Sequence, residues 1–554
     1  MSLLLDLFGY LSVVLHGLTI VAQSMALGST LFLVCLARPL AARLGASGRC
    51  VVRDSTGIAF WSAIGLIVCL ALDLAMQSAV LVGTIDLTFG QALGADFAIA
   101  DMVQIAAAAV LAVALRASGG EAPAPLLLAA LLADLAAATL TTHAAARLED
   151  RGLLLAAEGL HQFGAAIWIG GIPCFVAALA RLRQADRWGG VSSVVGLRFS
   201  RMSMAGVGCL LASGITMSLF YVGSWAGLYG TAYGVMVCVK ISLFLVLLAL
   251  GAGNFLAVER LRQDPRAPVL RLRRFAEVEI GIGFSVFFAA ASLTSVPPAI
   301  DLLQDRVSWP EIVERFTPQW PRLVSPDHDR LALPALQERL DREAAQHARA
   351  PQAAFIPGAG TLPPRNADDV AWSEFNHHWA GLFLLAIGLL ALLHQAGLRV
   401  ARHWPLLFIG LAAFLFLRSD PEVWPLGQEG LIASLRDVEV LQHRMFVLLI
   451  CAFGGFEWRV RTGAWRSREA ALVFPLVCAV GGALLLTHSH AIANVREQLL
   501  IELTHAPLAV LAILAGWSRW LQLRLDAPGN RIAGWVWPVC FVLIAGLLLD
   551  YREA

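Results

Sequence analysis

The chain has 554 residues, of which 58% are hydrophobic and 15% are charged, and its formal net charge is +1. A soluble globular protein has about 25% charged residues, so this chain has too few charges to cover a water-exposed surface of its size. The composition excludes a soluble enzyme, a disordered protein and a nucleic-acid-binding protein, and it is typical of a membrane protein with many spans.

Eight apolar runs that are long enough to cross a membrane fill the first half of the chain. A spanning helix needs about 20 mostly apolar residues. The runs lie at 8–36, 57–83, 98–116, 124–145, 152–180, 202–222, 232–258 and 275–296. We expect the first run to be retained as a helix, because no positively charged region precedes it and it is too long for a signal peptide.

A polar segment, residues 297–372, follows these runs and holds 11 of the 24 prolines. We expect it to be a small extracytoplasmic segment with a helical piece near 331–348. Six further apolar runs lie at 376–396, 404–418, 440–457, 470–488, 500–521 and 532–551. The sequence therefore predicts an all-α membrane helix bundle of about 14 transmembrane helices. Its predicted domains are an eight-helix domain (1–296), the Pro-rich segment (297–372) and a His-rich six-helix domain (373–554).

The arginines predict the orientation of the bundle. Lys240 is the one lysine among 41 basic residues, so 40 are arginines. Alternate loops hold 25 of them, whereas the opposite short loops and the C-terminus hold seven. Since Arg-rich loops stay on the cytoplasmic side, both termini and the 297–372 segment are expected to face the periplasm of a bacterial inner membrane. We expect membrane lipid as a partner and do not expect nucleic acid as one.

Ionisable residues inside a bilayer are costly, so each is a candidate functional residue. In the first half the candidate metal ligands are His143, Glu158 and His161, and the last two share one helix face at a spacing of three residues. Five more residues are candidates for an ion path or for charge compensation: His16, Asp73, Met76, Asp101 and Lys240. Two structural alternatives stay open, because a lone histidine at a membrane interface is usually structural and Glu158 and Lys240 could neutralise each other.

Six of the 13 histidines lie near the predicted outer ends of four helices in the second half of the chain. Imidazole is a ligand of copper, zinc, iron and nickel, and facing helices of a bundle can build a metal site. The candidate ligands are His377, His378, His443, His488, His490 and His505, with Glu502 as a charge-compensating neighbour. His377 and His378 point about 100° apart on a helix, so at most one is expected to face the bundle.

The stretch TTHAAARLEDRGLLLAAEGLHQFGAAIWIGG, residues 141–171, resembles the copper resistance D (CopD) family. In that family a histidine near a helix end precedes an acid-x-x-His pair and a Trp-x-Gly-Gly motif. The matching residues here are His143, Glu158, His161, Trp168, Gly170 and Gly171, with Glu158 where Asp is more common. The stretches RFSRMSMAGVGCLLASG and YGVMVCVK resemble later helices of the family, including Lys240. SEFNHHWAG, LQHRMF, LLLTHSHA and LIELTHAPLA resemble the C-terminal extension of its longer members.

The resemblance implies copper handling in the bacterial inner membrane, often beside a periplasmic copper-binding protein. We expect copper uptake or transport from the periplasm through an outward-facing His-rich site, and a transporter rather than an enzyme. Two alternatives remain: a redox protein with b-type haem held by two outer histidines, and an assembly factor that delivers copper to a cuproenzyme. The chain has no Walker A motif, which disfavours an ATP-driven pump.

Overall fold

The computed structural model describes residues 2–85, 87–185, 190–264, 267–302, 306–327, 331, 367–421, 423–427, 430–435, 438–487 and 495–553. Within these ranges the ordered elements are helices and none is a β-strand. The predicted all-α class is therefore confirmed for the described part of the chain. The helix predicted near 331–348 lies outside the described residues, apart from Leu331.

The chain divides into two compact units. Unit 1 comprises Met1–Gln304 with Leu486–Ser489, and unit 2 comprises Asp305–Leu485 with His490–Ala554. The helices of unit 1 are α1 (Ser2–Phe32), α2 (Arg38–Ile85), α3 (Phe89–Leu93), α4 (Asp96–Ser118), α5 (Ala124–Thr139), α6 (His143–Ala146), α7 (Arg151–Ala165), α8 (Ile172–Ala185), α9 (Gly190–Tyr221), α10 (Trp225–Tyr229), α11 (Ala232–Gln263) and α12 (Leu270–Thr294).

Unit 2 begins with a short helix and continues with a second bundle. Its helices are α13 (Trp309–Arg315), α14 (Ala367–Gln395), α15 (Leu406–Arg418), α16 (Leu431–Ser434), α17 (Val438–Arg461), α18 (Val473–Leu485), α19 (Val495–Arg524) and α20 (Gly529–Leu549). Neighbouring helices in this bundle follow the order α17, α15, α14, α20, α19, α18. A cluster of aromatic side chains, including Trp404, Phe474 and Trp537, fills its core.

Apolar helices occur where the sequence predicts membrane spans. Among the described residues, ten helices are long and apolar enough to cross a membrane, and three shorter apolar helices lie at 124–139, 406–418 and 470–485. The remaining predicted span, 440–457, falls within α17. Val113, Leu132 and Leu219 are more than 60% exposed on these helices, as expected for side chains that face lipid. A membrane helix bundle is therefore the architecture, while the number of crossings stays a prediction.

Two glycines allow the backbone of α1 to touch the backbone of the turn between α7 and α8. The five residues Ala166–Gly170 form a π-helical turn between α7 and α8, and α1 packs directly against it. A Cβ atom on Gly170 would lie 1.9 Å from the carbonyl oxygen of Ser24, and one on Gly28 would lie 2.1 Å from that of Ala166. Only residues without a side chain fit here, so this contact fixes how α1 and the π-helical turn approach each other.

We expect Gly170→Ala to destabilise unit 1 because the added methyl group meets backbone atoms that cannot rotate away. Overpacking of this kind costs about 1–3 kcal/mol or more. The measurement is thermal unfolding of the detergent-purified protein. Gly208→Ala on α9 is the control, since a Cβ atom there has no neighbour within 4 Å. Equal unfolding temperatures for the two variants would show that α1 does not depend on this contact.

Candidate functional site

His143 is the first residue of the short helix α6, between α5 and α7. Its Nε2 atom is buried and has no hydrogen-bond partner among the residues that the structure describes. Burial lowers the pKa of His143 below its ordinary value, although the backbone carbonyl of Leu293 and the charge of Glu158 act in the opposite direction. The imidazole is therefore neutral near neutral pH, which is the form that binds metal ions.

Two buried tyrosines complete a cluster around this histidine. The ring centroid of His143 lies 6.3 Å from that of Tyr221 and 6.4 Å from that of Tyr233, and the two tyrosine rings are 6.3 Å apart. The Tyr221 hydroxyl is buried without a partner in the described part of the chain. Arg147 lies over the Tyr221 ring and donates hydrogen bonds of 3.0 Å and 2.7 Å to the two carboxylate oxygens of Asp301. The cluster thus contains polar atoms that a bound ion could engage.

Glu158 and His161 lie on one face of α7, close to Lys240 of α11. The Ser213 hydroxyl donates to the carbonyl oxygen of Cys209 at 2.6 Å and lies 3.0 Å from Nδ1 of His161. Because the hydroxyl proton is used in the first bond, the His161 ring donates from Nδ1 and keeps its lone pair on Nε2. The charge of Lys240 acts on His161 and on Glu158. The face of α7 and the neighbouring Lys240 of α11 therefore combine an acceptor nitrogen with one charge of each sign.

Glu158 also connects this face to the cluster around His143. Gln162 donates to a Glu158 carboxylate oxygen at 3.1 Å, and the Glu158 charge acts on His143 and on Tyr221. We call the set formed by His143, Glu158, His161, Tyr221, Tyr233 and Lys240 the polar cluster of unit 1. The predicted candidates His143, Glu158, His161 and Lys240 are thus brought into one electrostatic neighbourhood.

A buried carboxyl group, Glu279, was not among the residues predicted from the sequence. Its side chain is 4% exposed on α12. One carboxylate oxygen accepts a 3.3 Å hydrogen bond from the indole of Trp168, and the other accepts one from the amide of Asn254. Glu279 lies within the predicted span 275–296, so its position inside an apolar run was the signal that could have identified it.

The other candidates of unit 1 lie on helices α1, α2 and α4. His16 and Met76 are half-buried. Asp73 accepts a 2.7 Å hydrogen bond from Gln77. Asp101 is 5% exposed, its Oδ2 atom has no partner in the described ranges, and the charge of Asp73 acts on it.

A second buried carboxyl group, Asp134, is also absent from the candidates that the sequence predicts. Asp134, on α5, is 4% exposed and accepts a 3.1 Å hydrogen bond from Gln23 of α1. It lies within the predicted span 124–145, where its charge was again the available signal. The pair connects α5 to α1.

In unit 2, His378 uses both of its ring nitrogens in the fold. The backbone N–H of Arg322 donates to Nδ1 at 2.7 Å, so the ring carries its proton on Nε2 and donates it to the carbonyl oxygen of Tyr551 at 2.9 Å. These bonds join α14 to the chain on either side of it. Ligation of a metal by His378 would require one of them to break.

His377 and His505 both lie against the ring of Tyr551. The His377 ring stacks on the tyrosine with centroids 3.9 Å apart, and the His505 ring meets it edge-on at 6.1 Å. Both histidines place Nδ1 2.9 Å from a backbone carbonyl oxygen four residues earlier, that of Ser373 and that of Ile501. This bond fixes the proton on Nδ1 and the lone pair on Nε2, an arrangement typical of histidines that bind metals.

His443 pairs with Asp420, which is not among the candidates that the sequence predicts. Nδ1 of His443 lies 2.6 Å from one Asp420 oxygen, and the Arg444 guanidinium lies 3.4 Å from the other. Burial raises the pKa of Asp420, but hydrogen bonds from His443 and Ser419 and the charges of His443 and Arg444 outweigh it, so the net pKa lies below its ordinary value. The carboxylate therefore stays ionised and orients the imidazole.

The remaining candidates of the C-terminal half of the chain do not complete a metal site. Glu502 is 7% exposed on α19, while His488 and His490 lie outside the described residues. Within the described ranges, no group of three or more His, Cys, Asp or Glu side chains is arranged to hold a metal ion. The predicted six-histidine cluster remains a prediction.

Comparison with known proteins supports the resemblance. The family model "Copper resistance protein D" (CopD) matches residues 194–293. The chain therefore contains a region that is similar to the CopD family, which we call the CopD-like region. Over 164 residues it is 35% identical to "Copper transport protein CutJ" of Bacillus subtilis (strain 168), an alignment that covers 29% of each chain. No solved structure matches the chain.

The CopD-like region forms the second part of unit 1. It runs from α9 to α12 and includes Tyr221, Tyr233 and Lys240 of the polar cluster, together with the buried Glu279. His143, Glu158 and His161 precede it, in the stretch whose motifs resemble the family. The alignment with CutJ covers less than a third of that relative, so the similarity concerns a region and not the whole relative.

We expect Asp420→Asn to destabilise the protein near neutral pH by about 1–3 kcal/mol, because Arg444 loses a buried charged partner. The pKa of Asp420 is lowered in the folded state, so its stabilising effect is complete above the ordinary aspartate pKa of about 4 and is lost as the pH falls through the lowered value. Thermal unfolding of the wild type and the variant at several pH values measures the difference.

The matched control for this prediction is Asp526→Asn, at an exposed aspartate. It should unfold like the wild type throughout the pH range. A difference between wild type and Asp420→Asn that stays constant below about pH 4 would contradict the lowered pKa.

Proposed function

We propose that the chain transports copper ions across the bacterial inner membrane and takes them up from the periplasm through unit 1. The observation that carries this proposal is the buried Nε2 atom of His143, without a partner among the described residues, beside a region that matches the CopD family. An unpartnered polar atom inside a protein costs about 1–3 kcal/mol, which a bound metal ion would recover.

His143 is the proposed entry ligand of this path. Its ring is neutral near neutral pH because burial lowers its pKa. Because the ring bonds the backbone carbonyl of Leu293 through its other nitrogen, the proton lies on that nitrogen, and the unpartnered Nε2 carries the lone pair. Imidazole nitrogen binds copper in both of its common oxidation states.

His161 is the proposed second ligand, and Glu158 and Lys240 set the field around it. The Ser213 hydroxyl keeps the His161 lone pair on Nε2. The Glu158 carboxylate attracts a metal cation, whereas the Lys240 ammonium repels it, so the two charges balance occupancy against release. A strongly attractive site without Lys240 would hold the ion rather than pass it on.

The histidines of unit 2 are proposed as a second periplasmic capture point for copper. His377 and His505 keep Nδ1 against backbone carbonyls, and Asp420 orients His443. We infer that these three supply ligand nitrogens, and that His378 has a structural role through its bonds to Arg322 and Tyr551. A periplasmic copper-binding protein is the proposed donor.

Radiotracer copper uptake into proteoliposomes tests the proposal. The double variant His143→Ala/His161→Ala should transport copper at least about tenfold more slowly than the wild type, since the loss of one ligand contact of about 1.4 kcal/mol already changes an equilibrium tenfold. The matched control is His403→Ala, because the His403 ring accepts a 2.9 Å hydrogen bond from Trp458 in unit 2 and belongs to neither proposed site.

Two results would overturn the transport proposal. Equal uptake by the double variant and the wild type would remove His143 and His161 from the path. A Soret band in the purified protein, without bound copper by elemental analysis, would replace copper transport with haem-based redox chemistry.

A further inference from the structure

Two arginines are buried at one end of unit 2, in a region that the copper proposal does not use. Arg461 ends α17, and Arg519 lies in the last two turns of α19. The side chain of Arg461 is 8% exposed, and Arg519 is 9% exposed. The positive-inside rule predicts that this end faces the cytoplasm, because the neighbouring loops are rich in arginine.

The two guanidinium groups share one aromatic surface. The guanidinium carbon Cζ of Arg461 lies 5.3 Å from the ring centroid of Trp537, and Cζ of Arg519 lies 5.8 Å from the same centroid. Arg461 also lies over Trp404 at 5.0 Å and over Phe474 at 5.7 Å. The positive charges of the two arginines act on each other. Such proximity of like charges inside a protein is unfavourable unless a negative charge compensates it.

One carboxylate compensates part of this charge. Arg461 donates from Nε to Glu457 at 2.5 Å, and the Glu457 charge also acts on Arg519. Two guanidinium groups and one carboxylate leave one positive charge in excess. His394 lies within electrostatic range of both arginines and adds no negative charge. The described surroundings therefore contain less negative charge than the arginines require.

Hydrogen-bond donors in the same place also lack acceptors. Nη2 of Arg461, Nε of Arg519 and Nε1 of Trp404 are buried without a partner in the part of the chain that the structure describes. The aromatic rings stabilise the cations, but they provide no acceptor for N–H groups in the guanidinium plane. Oε2 of Glu457 is likewise unpartnered, and a ligand hydroxyl or a water molecule would satisfy it.

We propose that Arg461 and Arg519 bind a phosphate group at this end of unit 2. Guanidinium groups match phosphate oxygens in geometry and charge, and one bound anion would both neutralise the excess charge and accept the unpartnered N–H bonds. The same chemistry is presented by the headgroup of an anionic phospholipid, which basic pockets on the cytoplasmic side of membrane proteins bind, and by free inorganic phosphate. The site is independent of copper transport.

Thermal unfolding of the full-length protein in neutral detergent tests the site. Phosphatidylglycerol should raise the unfolding temperature of the wild type, whereas phosphatidylcholine, whose headgroup has no net charge, should not. A rise with inorganic phosphate alone would identify the free anion as the ligand. Arg519→Gln should raise the anion concentration needed for stabilisation about tenfold or more. A weakening of this size is expected for the loss of a charged hydrogen bond.

Two further variants separate binding from a structural role. Glu457→Gln removes the competing carboxylate and should strengthen the anion effect. Arg531→Gln, an exposed arginine near the same end of unit 2, should leave it unchanged. The proposal is wrong if neither phosphatidylglycerol nor phosphate stabilises the wild type, or if Arg519→Gln lowers the unfolding temperature but keeps the full anion-dependent rise.

Discussion

The need to satisfy polar groups inside a membrane protein is the constraint on which the interpretation of both units depends. Water inside a bilayer is scarce, so a buried donor, acceptor or charge must find its partner within the protein or in a ligand. Several buried polar side chains here do so: Asp134 bonds Gln23, and Glu279 bonds Trp168 and Asn254. Atoms that lack a partner in the described part of the chain are therefore informative, and those at His143 and at the Arg461–Arg519 pair carry the two proposals.

In unit 1 the position of the polar cluster follows from backbone packing. Gly28 and Gly170 allow α1 to touch the π-helical turn that contains Trp168. That turn separates α7, which holds Glu158 and His161, from α8. The Trp-x-Gly-Gly motif of the CopD resemblance thus has a structural explanation in this chain. Trp168 bonds a buried carboxyl group, and Gly170 allows the close contact of α1.

The histidines of unit 2 differ in their hydrogen bonds and ring contacts. His378 is held by two backbone bonds, His443 is oriented by a carboxylate, and His377 and His505 both contact a tyrosine ring. These histidines all lie near predicted helix ends, but they differ in which ring nitrogen is available to a metal. A histidine whose two nitrogens are both bonded is a poor ligand, whereas one with Nδ1 bonded to a carbonyl directs its lone pair outward from Nε2.

The sequence by itself determined the all-α class, the apolar helices and the positions of His143, Glu158, His161 and Lys240 in their spans, because hydropathy and the spacing along one helix are local properties. It also contained the signal for Glu279 and Asp134, as charges inside apolar runs.

Only the tertiary structure decided which side chains meet across helices. Glu279 with Trp168, Asp420 with His443, and Arg461 with Arg519 are separated by tens of residues in the sequence, and nothing in the spacing along one helix specifies its neighbour. The packing of different helices, set by close contacts such as that of Gly170 with Ser24, brings these groups together.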